Sequence, residues 1–490
     1  MLAATAARAP QREALVCGAE RLTYGQYLNC VAAFAQELVA CGARGRRVAV
    51  VMGNGIDICI AIFAAHAAGA QVVPLNPQYT ANELGAILED ADAHSVVYDG
   101  SVAAVIEPLL QRLSTPQRFA IGAAACRRLL QPRAPAELPA PMPDPASLAT
   151  LQYTGGTTGR SKGVNMTHAA VAINVAQREA LLPTACDSDV LLCAMPLFHT
   201  YAAAMCLHNA ANRGATLVIL PRFTAEALLE LALAEKITIL AGSPSIFTAL
   251  LKHEAFSQHF FATLRMSYSG SAALPEALLR RWQESTGAPV LEGYGQSESG
   301  PVLSFNPLHG VRKPASVGVA LPDTEIQIVD PVDGQRVYGV HQIGEIRARG
   351  PQLMQGYRNR PEETAQALRG GWLYTGDLGE VDADGYLYIR DRKKDMLLVS
   401  GYNVYPREVE EVLSHHPALL EVAVIGRPDE QRGMTVVAYV AFRAGQGASE
   451  QDLDEHCRRN LAPYKVPRAY VPLDRLPKTA VGKIDKKQLA

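Results

Sequence analysis

The stretch WLYTGDLGEVDADGYLYIRDRKKDMLLVSGYNVYPREVEEV, residues 372–412, changes its text twice within one run. Apolar residues alternate on both sides of the Asp-Gly pair at 384–385, which predicts two antiparallel strands joined by a tight turn. A charged run, DRKKD at 391–395, follows, and a helical pattern begins at PREVEEVLSHH. Strands, a charged joint and a helix in that order mark the passage from one structural unit to another.

Beyond this stretch the sequence gives two strands (EVAVIG and TVVAYVAF), another helix and a basic tail, so the last hundred residues read as a separate α+β unit. Short strands with turn signals occupy about 310–390. Before them, ATLVIL, ITILAG, RMSYSG and PVLEGYG alternate with helices, one of which is expected to begin at Pro275. Six prolines between 132 and 145 mark a surface connection, because proline removes an amide donor and cannot run through a central helix or strand. The first 130 residues form another βαβ series. Thr23 with Gln26 and Thr80 with Glu83 are capping boxes opening two of its helices, and RVAVV and SVVYDG are strands.

The 490 residues carry 46 Lys plus Arg against 48 Asp plus Glu, a formal charge of -2. That balance argues against a nucleic-acid binder, which needs clustered positive charge to displace counterions. At 48% hydrophobic and 19% charged, the chain can bury large cores. Nine cysteines form no CxxC pair and no zinc spacing, which fits buried thiols in a reducing, cytoplasmic compartment. MLAATAARAPQR has no basic segment leading into an apolar core, so no secretory signal is expected. The longest apolar region, near 58–70, is interrupted by His66 and is too short for a transmembrane segment.

Two further strings carry chemistry. YTGGTTGRSKG, 153–163, sets three glycines and three threonines in a row of six, so backbone amides and hydroxyls can converge on phosphate oxygens, with Lys162 adding a point charge. It lacks the Gly-Lys-Ser/Thr spacing of a Walker loop. EGYGQSESGP, 292–301, follows a strand and sets Glu298 between Ser297 and Ser299. A carboxylate beside phosphates is costly unless a Mg²⁺ ion lies between them, which makes Glu298 a metal-ligand candidate. The string nearly spells the serine-hydrolase elbow, but Ser299 stands where that motif needs glycine.

With these strings in this order, the chain resembles the adenylate-forming superfamily of acyl-CoA synthetases, peptide-synthetase adenylation domains and beetle luciferases, and is most similar to bacterial fatty-acid:CoA ligases. The resemblance runs from RLTYGQYLN near the start to PKTAVGKIDKKQL near the end. It implies an α/β fold: a large N-terminal domain, 1–393, of several subdomains with βαβ layers and a small barrel-like β subdomain, and a small mobile α+β C-terminal domain, 394–490, hinged near Lys394. The implied activity joins a hydrophobic monocarboxylic acid to AMP from ATP, with Mg²⁺, and then passes the acyl group to coenzyme A. An aryl acid, or loading of a carrier protein, is the alternative, and a monomer or homodimer is expected. A silent nucleotide-binding protein is the reading from another class, and intact Glu298, Asp377 and Lys483 argue against it.

Residue by residue, the resemblance implies that Thr154, Gly155, Gly156, Thr157, Thr158, Gly159 and Lys162 hold the β- and γ-phosphates, with Thr154 and Glu298 near the metal. Ser297 stands where relatives usually have Thr and keeps the hydroxyl. Ser271, Ala272, Ala273, Glu292, Gly293 and Tyr294 form the adenine wall, mostly through backbone and stacking. Asp377 accepts from the ribose hydroxyls and Arg392 contacts the ribose. Lys483 reaches between carboxylate and α-phosphate, a task suited to a mobile point charge. His199, Ser243, Gly270 and Gly293 belong to the acyl pocket, where glycine at 293 is expected to leave room for a chain, and His199 joins Lys483 as a catalytic group. Gly401 lies on the coenzyme A tunnel.

Overall fold

The computed structural model describes residues 1–113, 117–122, 127–130, 134–154, 161–399, 402–429, 433–479 and 483–489. Gly155, Gly156, Thr157, Thr158, Gly159 and Gly401 lie outside the described residues.

Both capping boxes form. Thr23 and Gln26 cap the helix Tyr24–Ala40, and Thr80 and Glu83 cap Ala81–Ala91, each pair satisfying two otherwise orphaned amides. The helix Ile56–Ala67 is apolar except for Asp57 and His66 at its two ends, and every residue except His66 is buried, the mark of a core element. No helix among the described residues is long and apolar enough to cross a membrane.

Among the described residues a seven-stranded sheet runs in the order Gly356–Tyr357, Lys162–Thr167, Leu148–Thr154, Gln71–Leu75, Arg47–Val51, Ser95–Asp99, Gln117–Ile121. The strands from Gln71 to Ile121 pair in parallel, as crossover helices require. A nine-stranded sheet collects Val190–Cys193, Thr216–Ile219, Ile239–Gly242, Met266–Ser269 and Val290–Tyr294, the second α/β series of the sequence.

The division between the series differs from the sequence reading. Glu13–Cys17 and Glu20–Thr23 lie at the edge of the nine-stranded sheet, with Leu15 opposite Leu217. Leu148–Thr154 joins the first sheet instead, beside Gln71–Leu75. Local periodicity marks a strand but not its partner about two hundred residues away, which burial decides. Pro275 is the N-cap of Glu276–Thr286, one position earlier than its expected place inside the first turn.

Trp372–Val381 and Leu387–Arg392 form the expected hairpin, turning at Gly385 with φ +81°, and their register sets Asp377 opposite Arg392. Glu325–Val329 and Gly344–Arg349 extend this third sheet. The fourth sheet, Leu397–Val399, Tyr402–Val404, Leu419–Asp429, Gly433–Phe442 and Ala469–Pro472, packs under the helices Pro406–Ser414 and Glu450–Asn460 around apolar clusters of its own.

Candidate active site

The loaded glycine loop leaves one strand and enters another. Thr154 ends Leu148–Thr154, Lys162 opens Lys162–Thr167, and the two are opposite partners in an antiparallel pair. A Walker loop would instead lead into a helix. The Lys162 ammonium lies 5.1 Å from the centre of the Tyr357 ring, a cation–π contact. The Tyr357 hydroxyl donates to Glu298 Oε1 at 2.8 Å. Tyr357 thus ties the first motif to the second, a role the sequence reading did not assign.

Glu298 sits in the short 3-10 turn Ser297–Ser299, which is fixed from both ends: the Gln296 amide donates to Ser299 Oγ and the Met354 amide donates to the Glu298 carbonyl. Gly300 closes the turn at φ +92°, where a Cβ would come within 2.7 Å of the Gln352 carbonyl. Burial pushes the Glu298 carboxyl up from its ordinary value. Among the described residues no group of three or more His, Cys, Asp or Glu forms a ready cage for a metal. A single half-buried carboxylate with one hydroxyl donor, and Thr154 beside the phosphate loop, fits Mg²⁺, which keeps waters and substrate phosphates as its other ligands.

Asp377 is buried. The Tyr294 hydroxyl donates to its Oδ2 at 2.6 Å, and Arg392 Nε lies 3.4 Å from its Oδ1. Burial raises its pKa, while Arg392, Tyr294 and Lys483 pull the other way. Tyr294 therefore uses its hydroxyl in this site, beyond the stacking expected of it.

Lys483 reaches the same place from the far end of the chain. Its backbone is held by Thr479, whose amide donates to the Lys483 carbonyl at 2.7 Å. Burial lowers its pKa, and its charge interacts with Arg392 and Asp377. His199 lies within its field too: burial first, and Lys483 second, push the imidazole down to about 4. His199 Nδ1 accepts from the Tyr201 amide, which fixes the ring at the start of a helical turn. Motif residues 199, 377, 392 and 483 therefore converge in space.

Glu292 is 3% exposed, and its Oε1 accepts from the Leu274 amide at 2.9 Å. Burial pushes its carboxyl up to about 7. Ser271 has φ +70°, while Ala272 and Ala273 are exposed. Ser243 is buried with its hydroxyl 2.9 Å from Ser245. The acyl-side glycines differ from expectation. A Cβ on Gly293 would come within 2.2 Å of the Phe305 ring, so the room expected there is filled by that ring, its cross-strand partner. A Cβ on Gly270 would come within 2.7 Å of Tyr201. Aromatic residues opposite a glycine are invisible to a linear motif.

Lys394 lies in the turn after Leu387–Arg392. There the Lys393 amide donates to the Gly376 carbonyl and the Lys393 ammonium pairs with Glu345 at 2.9 Å.

The sequence profile of the AMP-binding enzyme family matches residues 2–358, and that of the AMP-binding enzyme C-terminal domain matches 408–483. A long-chain-fatty-acid–CoA ligase of Bacillus subtilis is 36% identical over 525 aligned residues, covering 100% of this chain and 93% of the relative. One from Yersinia pestis is 36% identical over 481, covering 91% and 85%. An anthranilate CoA ligase solved with anthranoyl-AMP superposes with a TM-score of 0.92 at 29% identity, covering 100% of this chain and 95% of the other. ATP-bound MatB from Rhodopseudomonas palustris gives 0.90 at 30% identity, covering 98% and 95%.

Proposed function

The chain belongs to the AMP-binding enzyme family and is an acid–thiol ligase, and on that premise we propose that it activates a hydrophobic monocarboxylic acid, a medium- or long-chain fatty acid, as its acyl-AMP and transfers the acyl group to coenzyme A. The observation that carries this reading is the convergence of Lys483, Asp377, Arg392 and His199 from three separate stretches of sequence.

In the first step a carboxylate oxygen attacks the α-phosphorus of ATP, and pyrophosphate leaves with the electrons of the broken P–O bond. Two anions must meet, so the work is charge neutralisation and positioning. Lys483 lies between the acid and the α-phosphate and stabilises both. Asp377 accepts from the ribose hydroxyls, with Arg392 beside it. Lys162 and the glycine loop hold the outer phosphates. Glu298 and Thr154 would hold Mg²⁺, which when bound offsets phosphate charge. His199 stays neutral, so it shields the acid without pairing with it. In the second step the thiol sulfur attacks the acyl carbonyl and AMP departs. We place the hinge for this exchange at Lys394, dividing 1–393 from 394–490, with Gly401 on the thiol's path.

An aryl acid is the second reading. It draws support from the Tyr201 and Phe305 rings, which take the space above Gly270 and Gly293 and favour a compact substrate.

Pyrophosphate release, measured over a panel of alkyl and aryl acids with and without coenzyme A, tests the proposal. Release that yields acyl-CoA with dodecanoate or longer acids is expected. Accumulation of acyl-AMP despite coenzyme A points to carrier loading, and turnover with benzoates alone supports the aryl reading.

A further inference from the structure

Two features of the nucleotide wall need a common explanation. Ser271 adopts a left-handed backbone without being glycine, a conformation that persists only where its surroundings enforce it. Glu292 buries a carboxylate, which is costly unless the group is engaged. The hydrogen bond from the Leu274 amide to Glu292 Oε1 joins the two, spanning the segment 271–273.

We propose that Glu292 is a positioning residue, whose carboxylate pins the 271–274 segment so that its exposed face takes adenine in preference to other bases.

The pin is anchored on both sides. Glu292 lies opposite Ser269 in the parallel pair of Met266–Ser269 and Val290–Tyr294, and its carbonyl accepts from the Asn306 amide at 2.9 Å. Asn306 is itself tied through its side chain to the Ser316 carbonyl. At the near end of the segment, Gly270 is packed against Tyr201. The segment thus has one end wedged and the other held by a single hydrogen bond to a charge-capable acceptor, a type roughly twice as strong as a neutral pair. Ser271 Oγ is buried with no hydrogen-bond partner in the structure, so the turn's geometry is not held by its own side chain. Ala272 and Ala273 are exposed and add no polar group, so any distinction among bases falls to the placement of backbone groups.

This inference rests on the adenylation reading, and one experiment separates their failures. ATP- and GTP-dependent pyrophosphate exchange is measured for the wild type, Glu292→Ala and Glu292→Gln, with thermal midpoints for each. Glu292→Ala is expected to raise KM for ATP and to lower the ATP-over-GTP preference, each by about tenfold, matching the loss of one such bond. KM for the acid should stay within about threefold, and Glu292→Gln, which keeps the acceptor oxygen, should restore the preference. An unchanged preference in Glu292→Ala, or a glutamine variant as poor as alanine, overturns the proposal. Should the alanine variant not fold, Glu292→Asp, one methylene short of Leu274, is expected to fall between them, and wild-type selectivity there overturns the proposal as well. A wild type that exchanges pyrophosphate with no acid contradicts the function itself.

Discussion

The nucleotide side of the cleft and the helical segment behind His199 treat buried polarity in opposite ways. Around the nucleotide, Glu292, Glu298 and Asp377 are carboxyls that burial pushes upward. Behind His199, the histidines 66, 168 and 208 are imidazoles that burial pushes downward, His208 to about 4. Their rings lie 5.4 and 5.8 Å from that of His66, and both His208 nitrogens lack a hydrogen-bond partner. The first region is ready for cations to complete it. The second is kept neutral. Lys483 stands between the two regions, its charge felt by Asp377 on one side and by His199 on the other.

Severing that link should have the largest effect. Lys483→Ala is expected to slow acyl-AMP formation by at least ~1,000-fold, the scale of losing one group that stabilises developing charge. Thioester formation from supplied acyl-AMP should stay within about threefold, since that step does not need this charge. Equal loss in both assays would break the comparison. Next comes Asp377→Ala, where losing an ionised acceptor for two hydroxyls predicts a rise in KM for ATP of roughly 10- to 100-fold. KM for the acid should be unaltered. Tyr357→Phe removes the donor to Glu298 while keeping the ring over Lys162, and a loss of about tenfold in kcat/KM, relieved by raised Mg²⁺, is expected.

The smallest effects are on stability, and they sharpen the contrast in sign. Glu292 has a folded pKa above its ordinary 4.5, so its contribution is present at low pH and is lost as pH rises from 4.5 to about 7. His208 has a folded pKa below 6.5, so stability is lost as pH falls from 6.5 to about 4. Urea midpoints should therefore peak between these limits. Glu292→Gln should flatten the upper side of that peak, and His208→Leu the lower side, adding about 1–3 kcal/mol at pH 5 by removing unpartnered nitrogens. Unchanged pH profiles in both variants would remove the distinction.

Much of this site is legible in the sequence because its chemistry is carried by short strings. The hairpin turn at 384–385 is local and brings Asp377 back beside residues 391–392, while a one-residue shift between Leu378 and Gly379, which alternation does not show, sets it opposite Arg392. The capping boxes are equally local. Tyr357, Tyr201 and Phe305 escape because each acts on a residue from another motif, Glu298, Gly270 or Gly293, through tertiary packing. Tyr357 stands in GYRNRPE, a string whose aromatic-basic composition is its one visible signal. The place of the first two strands escapes for the same reason, since Glu13–Cys17 pairs with the distant Thr216–Ile219 and carries Glu20–Thr23 with it.

The central claim is that the acid's own oxygen attacks the α-phosphorus before the thiol displaces AMP. Dodecanoate labelled with ¹⁸O in its carboxylate, turned over with ATP and coenzyme A and followed by mass spectrometry of the nucleotide, tests it directly. The account predicts one labelled oxygen in AMP for each acyl-CoA formed. Unlabelled AMP, or label in orthophosphate with ADP as the nucleotide product, would contradict it.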